Sequence, residues 1–232
     1  MKIGKGEKPA KVLLYHATGK FGAFEPAAMK KDGNAWVASI PAYPAGTLVR
    51  YYVEAPSAAA TGTTVFEPRR AEAAPLSYRV HAPRRSGFPV RINELLAANE
   101  KTNKDSEGEY EDWVELYNSS SKAVDLSGLY LSDSLNNPRK WKFPAGTSIA
   151  GGGHLIVWLD GDTEAAGLHA SFRLNRDGET ILLVDRDKGQ NAILDELKFS
   201  AQESDRSFGR AKDAKGAGRS LKPTPGKANP GK

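Results

Sequence analysis

The sequence predicts an all-β protein built as two β-sandwich domains in tandem. Three observations lead there. Almost every apolar segment is short and stops at glycine, proline, asparagine or aspartate. Inside those segments apolar and polar residues alternate, the period of a strand with one buried face. The only helix candidates are short, around Leu95–Asn99 and Glu164–Gly167.

The first domain is assigned to residues 1–82. Val12-Leu13-Leu14-Tyr15 reads as its first convincing strand. Trp36-Val37-Ala38-Ser39-Ile40 follows, with Trp36, Ala38 and Ile40 on one face. Lys31-Asp32-Gly33-Asn34 ahead of it is a hairpin turn, because Gly and Asn accept positive φ at little cost. Leu48 to Val53 and Leu76 to Val80 follow, the latter with Leu76, Tyr78 and Val80 on one face. The block as a whole counts about five strands, where a full sandwich of this kind has about seven. Either Met1–Ala10 adds an irregular edge, or further strands lie upstream. Met1-Lys2-Ile3-Gly4-Lys5-Gly6 reads as a boundary inside a longer protein, not as the start of a signal peptide.

Residues 83–89, Pro-Arg-Arg-Ser-Gly-Phe-Pro, have no apolar period and are read as a linker. The second domain is placed at 90–211. Val90 to Leu95 opens it, with Val90, Ile92 and Glu94 assigned to one face. Trp113 to Tyr117 sets Val114 and Leu116 against Trp113, Glu115 and Tyr117. Leu129–Leu131, Lys140–Phe143 and His154–Leu159 follow. Ile181–Val184 and Ala192–Leu194 flank a hairpin loop at Asp185–Gln190. Residues 212–232 are rich in Lys, Gly, Ala and Pro and are expected to form a mobile or draped basic tail.

The 232 residues carry 33 Lys and Arg against 28 Asp and Glu, a formal net charge of +5. Residues 1–88 hold 13 basic and 6 acidic side chains, residues 89–200 hold 12 and 19, and residues 201–232 hold 8 and 3. The balances are +7, −7 and +5. A dedicated nucleic-acid binder concentrates basic charge on one folded face, so this division disfavours that class. The absence of cysteine excludes a disulfide framework, a thiolate zinc site and a thiol nucleophile. No stretch approaches the roughly 20 apolar residues of a membrane span.

The second block carries a series of motifs in one order. They are Ile92-Asn93-Glu94-Leu95, Asp112-Trp113-Val114-Glu115-Leu116-Tyr117-Asn118, Val124-Asp125-Leu126-Ser127-Gly128 and Leu131-Ser132-Asp133. Phe143 to Thr147, Gly152-Gly153-His154-Leu155 and Leu174 to Glu179 follow. Ser207-Phe208-Gly209-Arg210 and Thr224-Pro225-Gly226-Lys227-Ala228-Asn229 close the series. In this order and spacing the block resembles the lamin tail domain family in its bacterial extracellular form. The resemblance implies an immunoglobulin-like sandwich without catalytic residues. Asn99–Glu111 departs from shorter members as a polar insertion. The first block is similar to a fibronectin type III or related immunoglobulin-like module, on Leu14-Tyr15, Asp32-Gly33, Ala35-Trp36, Ile40-Pro41 and Val49 to Ala55. The tandem resembles the C-terminal part of exported bacterial proteins of the CotH-like group, which implies a secreted or cell-surface location.

Candidate sites are few. Asp105, Glu107, Glu109, Glu111 and Asp112 form an acidic loop that offers oxygen ligands for calcium, though without the EF-hand spacing. Solvation of the loop is the competing reading. Asp160-Gly161-Asp162-Thr163-Glu164 and the Asp185, Asp187, Asn191 group read as turn chemistry. Glu94 and Glu115 are read as structural, one of them buried against Arg210, with acid–base work as the competing role. Trp113 is assigned to the same structural set. The four histidines, His16, His81, His154 and His169, do not pair at a ligand spacing. Trp141 among Arg139, Lys140 and Lys142 is a core aromatic or a stacking platform. Asn118-Ser119-Ser120 matches a glycosylation acceptor. No acid, base and nucleophile set stands out, so the chain reads as a non-catalytic binding or display module. Its partner would be a protein or a cell-surface polymer. The alternatives are accessory domains that dock or target an upstream kinase-like or hydrolase domain, and anionic-polymer binding.

Overall fold

The computed structural model describes Pro9 and residues 11–57, 63–71 and 73–231. The remainder of Met1–Ala10, read above as a possible edge, lies outside the described residues. The chain forms two compact units, Met1–His81 and Ala82–Lys232. It is all β, and among the described residues no helix is long and apolar enough to cross a membrane.

In the first unit the strands are β1 (Leu13–Thr18), β2 (Glu25–Ala28), β3 (Lys30–Asp32), β4 (Ala35–Val37), β5 (Leu48–Ala55), β6 (Val65–Glu67) and β7 (Leu76–Arg79). Strands β2, β1, β5 and β6 are hydrogen-bonded in that order, and β7 also pairs β5. β7 takes the Leu48–Tyr51 half of β5 and β6 takes the Val53–Ala55 half. Strands β3 and β4 form a separate hairpin whose Gly33 has φ 55°. The strand expected through Ile40 stops at Val37, before Pro41 and Pro44. Strands β2, β3 and β6 were not legible, because Pro26 and charged residues interrupt any apolar alternation. One sheet face buries Val12, Leu14, Val49 and Ala55. The other carries Tyr15 and Tyr52, whose rings stack at 4.7 Å.

The second unit contains β8 (Val90–Leu96), β9 (Trp113–Asn118), β10 (Val124–Asp125), β11 (Tyr130–Ser132), β12 (Trp141–Lys142), β13 (Ser148–Ile149), β14 (His154–Trp158), β15 (Thr180–Val184), β16 (Ile193–Lys198), β17 (Ser207–Lys212) and β18 (Lys215–Leu221). One sheet runs β14-β9-β8-β17-β18 and another β12-β11-β15-β16, with β10 and β13 as a small pair. The two larger sheets enclose one core. Ile92, Leu95, Val114 and Leu116 come from the first, and Leu131, Ile181, Leu183 and Leu197 from the second. Alternation along β9 is as expected, with Val114 and Leu116 facing inward.

Along β8 it is not. A register shift between Ile92 and Glu94 inserts Asn93 as a bulge. Ile92 and Leu95 therefore both face the core, and Glu94 moves to the outer face opposite Glu115. The assignment of Glu94 to the face of Val90 and Ile92 is corrected on this account. Neither helix candidate forms. Leu95 and Leu96 continue β8, and 164–167 is turn and bend.

Two boundaries also change. Residues 83–85 are not a free linker but a rung on β16. Ile193 N donates to Pro83 O at 2.7 Å, Arg85 N donates to Ile193 O at 2.9 Å, and Arg84 pairs Glu196. Residues 212–221 are not a loose tail, because β18 completes the larger sheet as an antiparallel partner of β17. Its side chains supply little apolar area, and Leu221 alone of this strand is buried. Order comes from backbone pairing, which side-chain composition does not report.

Candidate functional site

Glu94 and Glu115 are directly opposed across β8 and β9, and both are fully buried. Two carboxylates in that position need donors. The segment after β18 supplies them. Thr224 N and Thr224 Oγ1 donate to Glu94 at 3.0 and 2.8 Å, and Gly226 N donates to Glu115 Oε2 at 2.6 Å. Asn93, extruded by the bulge, donates to Glu115 Oε1 at 3.2 Å and to Asp213 at 3.0 Å. Asn229 N also donates to Asp213, at 2.9 Å. His154 Nε2 lies 3.5 Å from Asp213 and 3.9 Å from Glu115. Burial pushes the Glu115 carboxyl up to about 7, against the pull of the Gly226 and Asn93 donors. Burial also raises Glu94, while Ser207 and Thr224 oppose the rise. Trp113 lies fully buried on the same face, opposite Leu96.

Arg210 pairs with neither glutamate. It follows Gly209, which faces Glu94 in the ladder, so its own side chain leaves on the opposite face. There Nη2 meets both oxygens of Asp195 at 2.9 Å, and Nε donates to Ile92 O at 2.9 Å. Ile92 N donates to Asp195 Oδ2 at 2.8 Å. Arg210 and Asp195 thus satisfy the backbone groups that the bulge frees at Ile92. Gly209 is required at the same spot, since a Cβ there would lie 2.7 Å from Asn93 O.

The acidic loop divides. Asp105 closes a tight turn, accepting the N–H groups of Glu107 and Glu109 at 2.9 Å each. Glu107 and Glu109 are exposed. Glu111 lies 4.0 Å from Arg173, and its carboxyl is raised by burial. Asp112 is raised to about 6, again chiefly by burial. Of these five acids, Asp105 meets a new set. Ligand atoms of Asp105, Asp160 and His169 all lie within 4.8 Å of one another. The rungs Trp158 with His169 and Asp160 with Arg173 hold the latter two in place. His169 Nδ1 is 2.5 Å from Asp160 Oδ2.

A family model described as Lamin Tail Domain matches residues 83–200, half of the chain. The chain belongs to the lamin tail domain family. No curated protein matches it. A crystal structure of a DUF4876 family protein from Bacteroides thetaiotaomicron is similar over 90% of this chain and 85% of that one, at 10% identity and a TM-score of 0.35. Lamin tail domains are generally non-enzymatic, and no catalytic family is indicated here.

The remaining candidate side chains of this lamin tail domain have partners within the fold. Trp141 is buried and meets Phe143 edge-on at 4.7 Å, so it offers no open face for stacking. Asn118 is fully buried, and its Nδ2 donates to Lys122 O and Ile149 O at 2.8 and 3.0 Å. That nitrogen cannot carry a glycan. Asp185 accepts from Arg186 N and pairs Arg85, while Asn191 donates to Asp187. The Asp160–His169 couple has the outline of a catalytic orienter and base. Among the described residues no hydroxyl is bonded to its Nε2. Sequence reasoning missed this couple because it looked for histidines near one another. Aspartates nine and sixty-four positions away from His169 leave no local signal.

Proposed function

We propose that this protein is a non-catalytic binding and display module of a larger exported bacterial protein, with a protein or a cell-surface polymer as its partner. One observation carries the reading. Glu94 and Glu115 are the carboxylates best suited by burial to acid–base work, yet residues 224–226 of the same chain occupy their oxygens. A substrate has no access to them, and their donors, the N–H groups of Thr224 and Gly226 with the Thr224 hydroxyl and the Asn93 amide, serve the fold. Family membership agrees, since lamin tail domains are generally non-enzymatic. The fibronectin-like reading of residues 10–81 belongs to the same proposal, as a spacer or second display unit.

Co-sedimentation of the purified protein with intact bacterial cells and with isolated cell-wall polysaccharide tests the reading. Parallel hydrolase and phosphotransfer assays complete it. Saturable binding without turnover is expected. Turnover abolished by Glu115→Gln would overturn the assignment, as would failure to bind any surface preparation. A gel shift that weakens steeply with salt would favour the anionic-polymer alternative.

A further inference from the structure

We propose that the outer face of the first unit's sheet binds a polysaccharide of acidic sugars. The inference rests on the binding reading above and adds to it the partner's chemistry and the surface that takes it.

This sheet has two unlike faces. Val12, Leu14, Val49 and Ala55 are buried on one. Tyr15 and Tyr52 are register partners on the other. Strand alternation adds Arg50 and Glu54 to that second face, with Phe66 as the partner of Glu54. Phe24 meets Tyr52 edge-on at 4.9 Å, Tyr15 stacks on Tyr52 at 4.7 Å, and the Phe66 ring lies 6.3 Å from Tyr52. All four rings are only partly buried. They form one row across the sheet, and contiguous apolar groups left at a surface mark binding sites.

Each end of the row carries a further device. At the Phe24 end, Arg50 donates to Gly19 O at 2.8 Å and to Gly22 O at 2.7 Å, and its guanidinium lies 4.8 Å from the Phe24 ring centre. These bonds clamp the turn between β1 and β2. That clamped turn holds Phe21 89% exposed, a large ring kept in water by a fixed backbone. At the other end a cleft of about 360 Å³ is lined by Phe66, Arg69, Arg70, Ala71 and Ala73. Arg69 and Arg70 are exposed, and among the described residues neither side chain has an ion pair or a hydrogen bond.

The mixture of groups selects the partner. Aromatic rings offer apolar area to the C–H faces of sugars. Glu54, which holds the Tyr15 hydroxyl by a hydrogen bond, can also accept from sugar hydroxyls. The same carboxylate, in the middle of the row, repels a DNA backbone, which offers it no hydroxyl donors in return. A lipid surface would bury that charge without a partner. Arg69 and Arg70 suit a sugar carboxylate, because guanidinium meets carboxylate through two parallel bonds. A neutral glycan would leave both arginines unanswered. The charge balance agrees, with 13 basic and 6 acidic side chains in residues 1–88.

Affinity electrophoresis of the full chain in gels containing polygalacturonate tests the proposal. Its methyl-esterified form, polyphosphate and single-stranded DNA serve as comparisons. Polygalacturonate should retard the protein, and each comparison polymer should bind about tenfold more weakly or worse. Arg69→Gln combined with Arg70→Gln should weaken binding to polygalacturonate by about tenfold. Phe21→Ser should weaken it by about threefold or more. All three positions are exposed, so an unchanged Tm verifies that each variant is folded. Absence of retardation would overturn the proposal, as would equal retardation by polyphosphate or DNA, or variants that bind like the parent. A parent that sediments with cells yet ignores polygalacturonate sinks this surface and leaves the display reading standing, whereas one that binds neither sinks both.

Discussion

Replacing Glu115 by glutamine separates what its charge costs from what its shape contributes. In the folded protein the carboxyl is raised from 4.5 to about 7. Folded protein therefore binds this proton more tightly than the unfolded chain does. The corresponding stability is fully present below pH 4.5 and is lost as pH rises to about 7. Its size is about 3 kcal/mol, undiscounted because the side chain is fully buried. Glutamine removes that pH-dependent part. It also turns one accepting oxygen into a donor, although both Glu115 oxygens accept, from Asn93 and from Gly226. A protonated Glu115 also carries one O–H donor, so at pH 5 the folded parent meets the same mismatch and the two proteins should lie within about 1 kcal/mol of each other. At pH 8 the parent carries the buried charge, and the variant should be the more stable by about 2–3 kcal/mol. Urea unfolding followed by tryptophan fluorescence, with Trp113 buried beside the pair, measures both. Asp112 is raised as well and tilts both proteins alike, whereas Glu94 is coupled to Glu115 and shares in the difference. A difference that is the same at pH 5 and pH 8 would refute the reasoning.

Four other outcomes follow for the second unit. Arg210→Ala should cost about 2–4 kcal/mol in denaturant unfolding, because Asp195 keeps only Arg91 and Ile92 N and the Ile92 carbonyl loses its donor. Arg210→Lys should recover less than half of that, since one ammonium cannot replace the planar fork. Gly209→Ala should lower stability by about 1–3 kcal/mol through the clash with Asn93 O, read from the same unfolding curves. Expression in a glycosylating host should leave Asn118 unmodified by mass spectrometry of the folded protein, because its nitrogen is committed to the carbonyls of Lys122, Ile149 and Ala150.

The strand content and the second sandwich were legible because apolar alternation reports burial directly. Val114 and Leu116 against Trp113 and Glu115 is such a case, and it holds in the structure. Glu94 is the counter-example. One extra residue in β8 reverses which face it occupies, and a bulge has no apolar signature of its own. The structural role read for Glu94 and Glu115 rested on their recurrence inside strand motifs. Their donors were missed because the N–H groups of Thr224 and Gly226 carry no residue identity and Asn93 reaches Glu115 only through the bulge. Arg210 was matched to the wrong acid for the same reason of face, Asp195 lying one strand face away. Residues 212–221 read as loose because ladder pairing in β18 needs no apolar side chains. His169 and Asp160 stayed invisible because only the turns after β14 bring them together.

The order in which the larger sheet can be assembled has a kinetic consequence. Its central strand β8 takes β9 on one side and β17 on the other. The first partner is nearby in the chain, whereas the donor to Glu94 comes 130 positions later. During synthesis from the N-terminus, β8 and β9 emerge and can pair as a hairpin before residues 207–226 do. Contacts of such long separation slow folding, since the intervening loop must be closed before they repay its entropy. Through that interval Glu94 and Glu115 lack the donors that Thr224 and Gly226 supply. The hairpin then carries two adjacent negative charges on an unpaired edge, a feature that discourages edge-to-edge association until the chain's own last strands arrive.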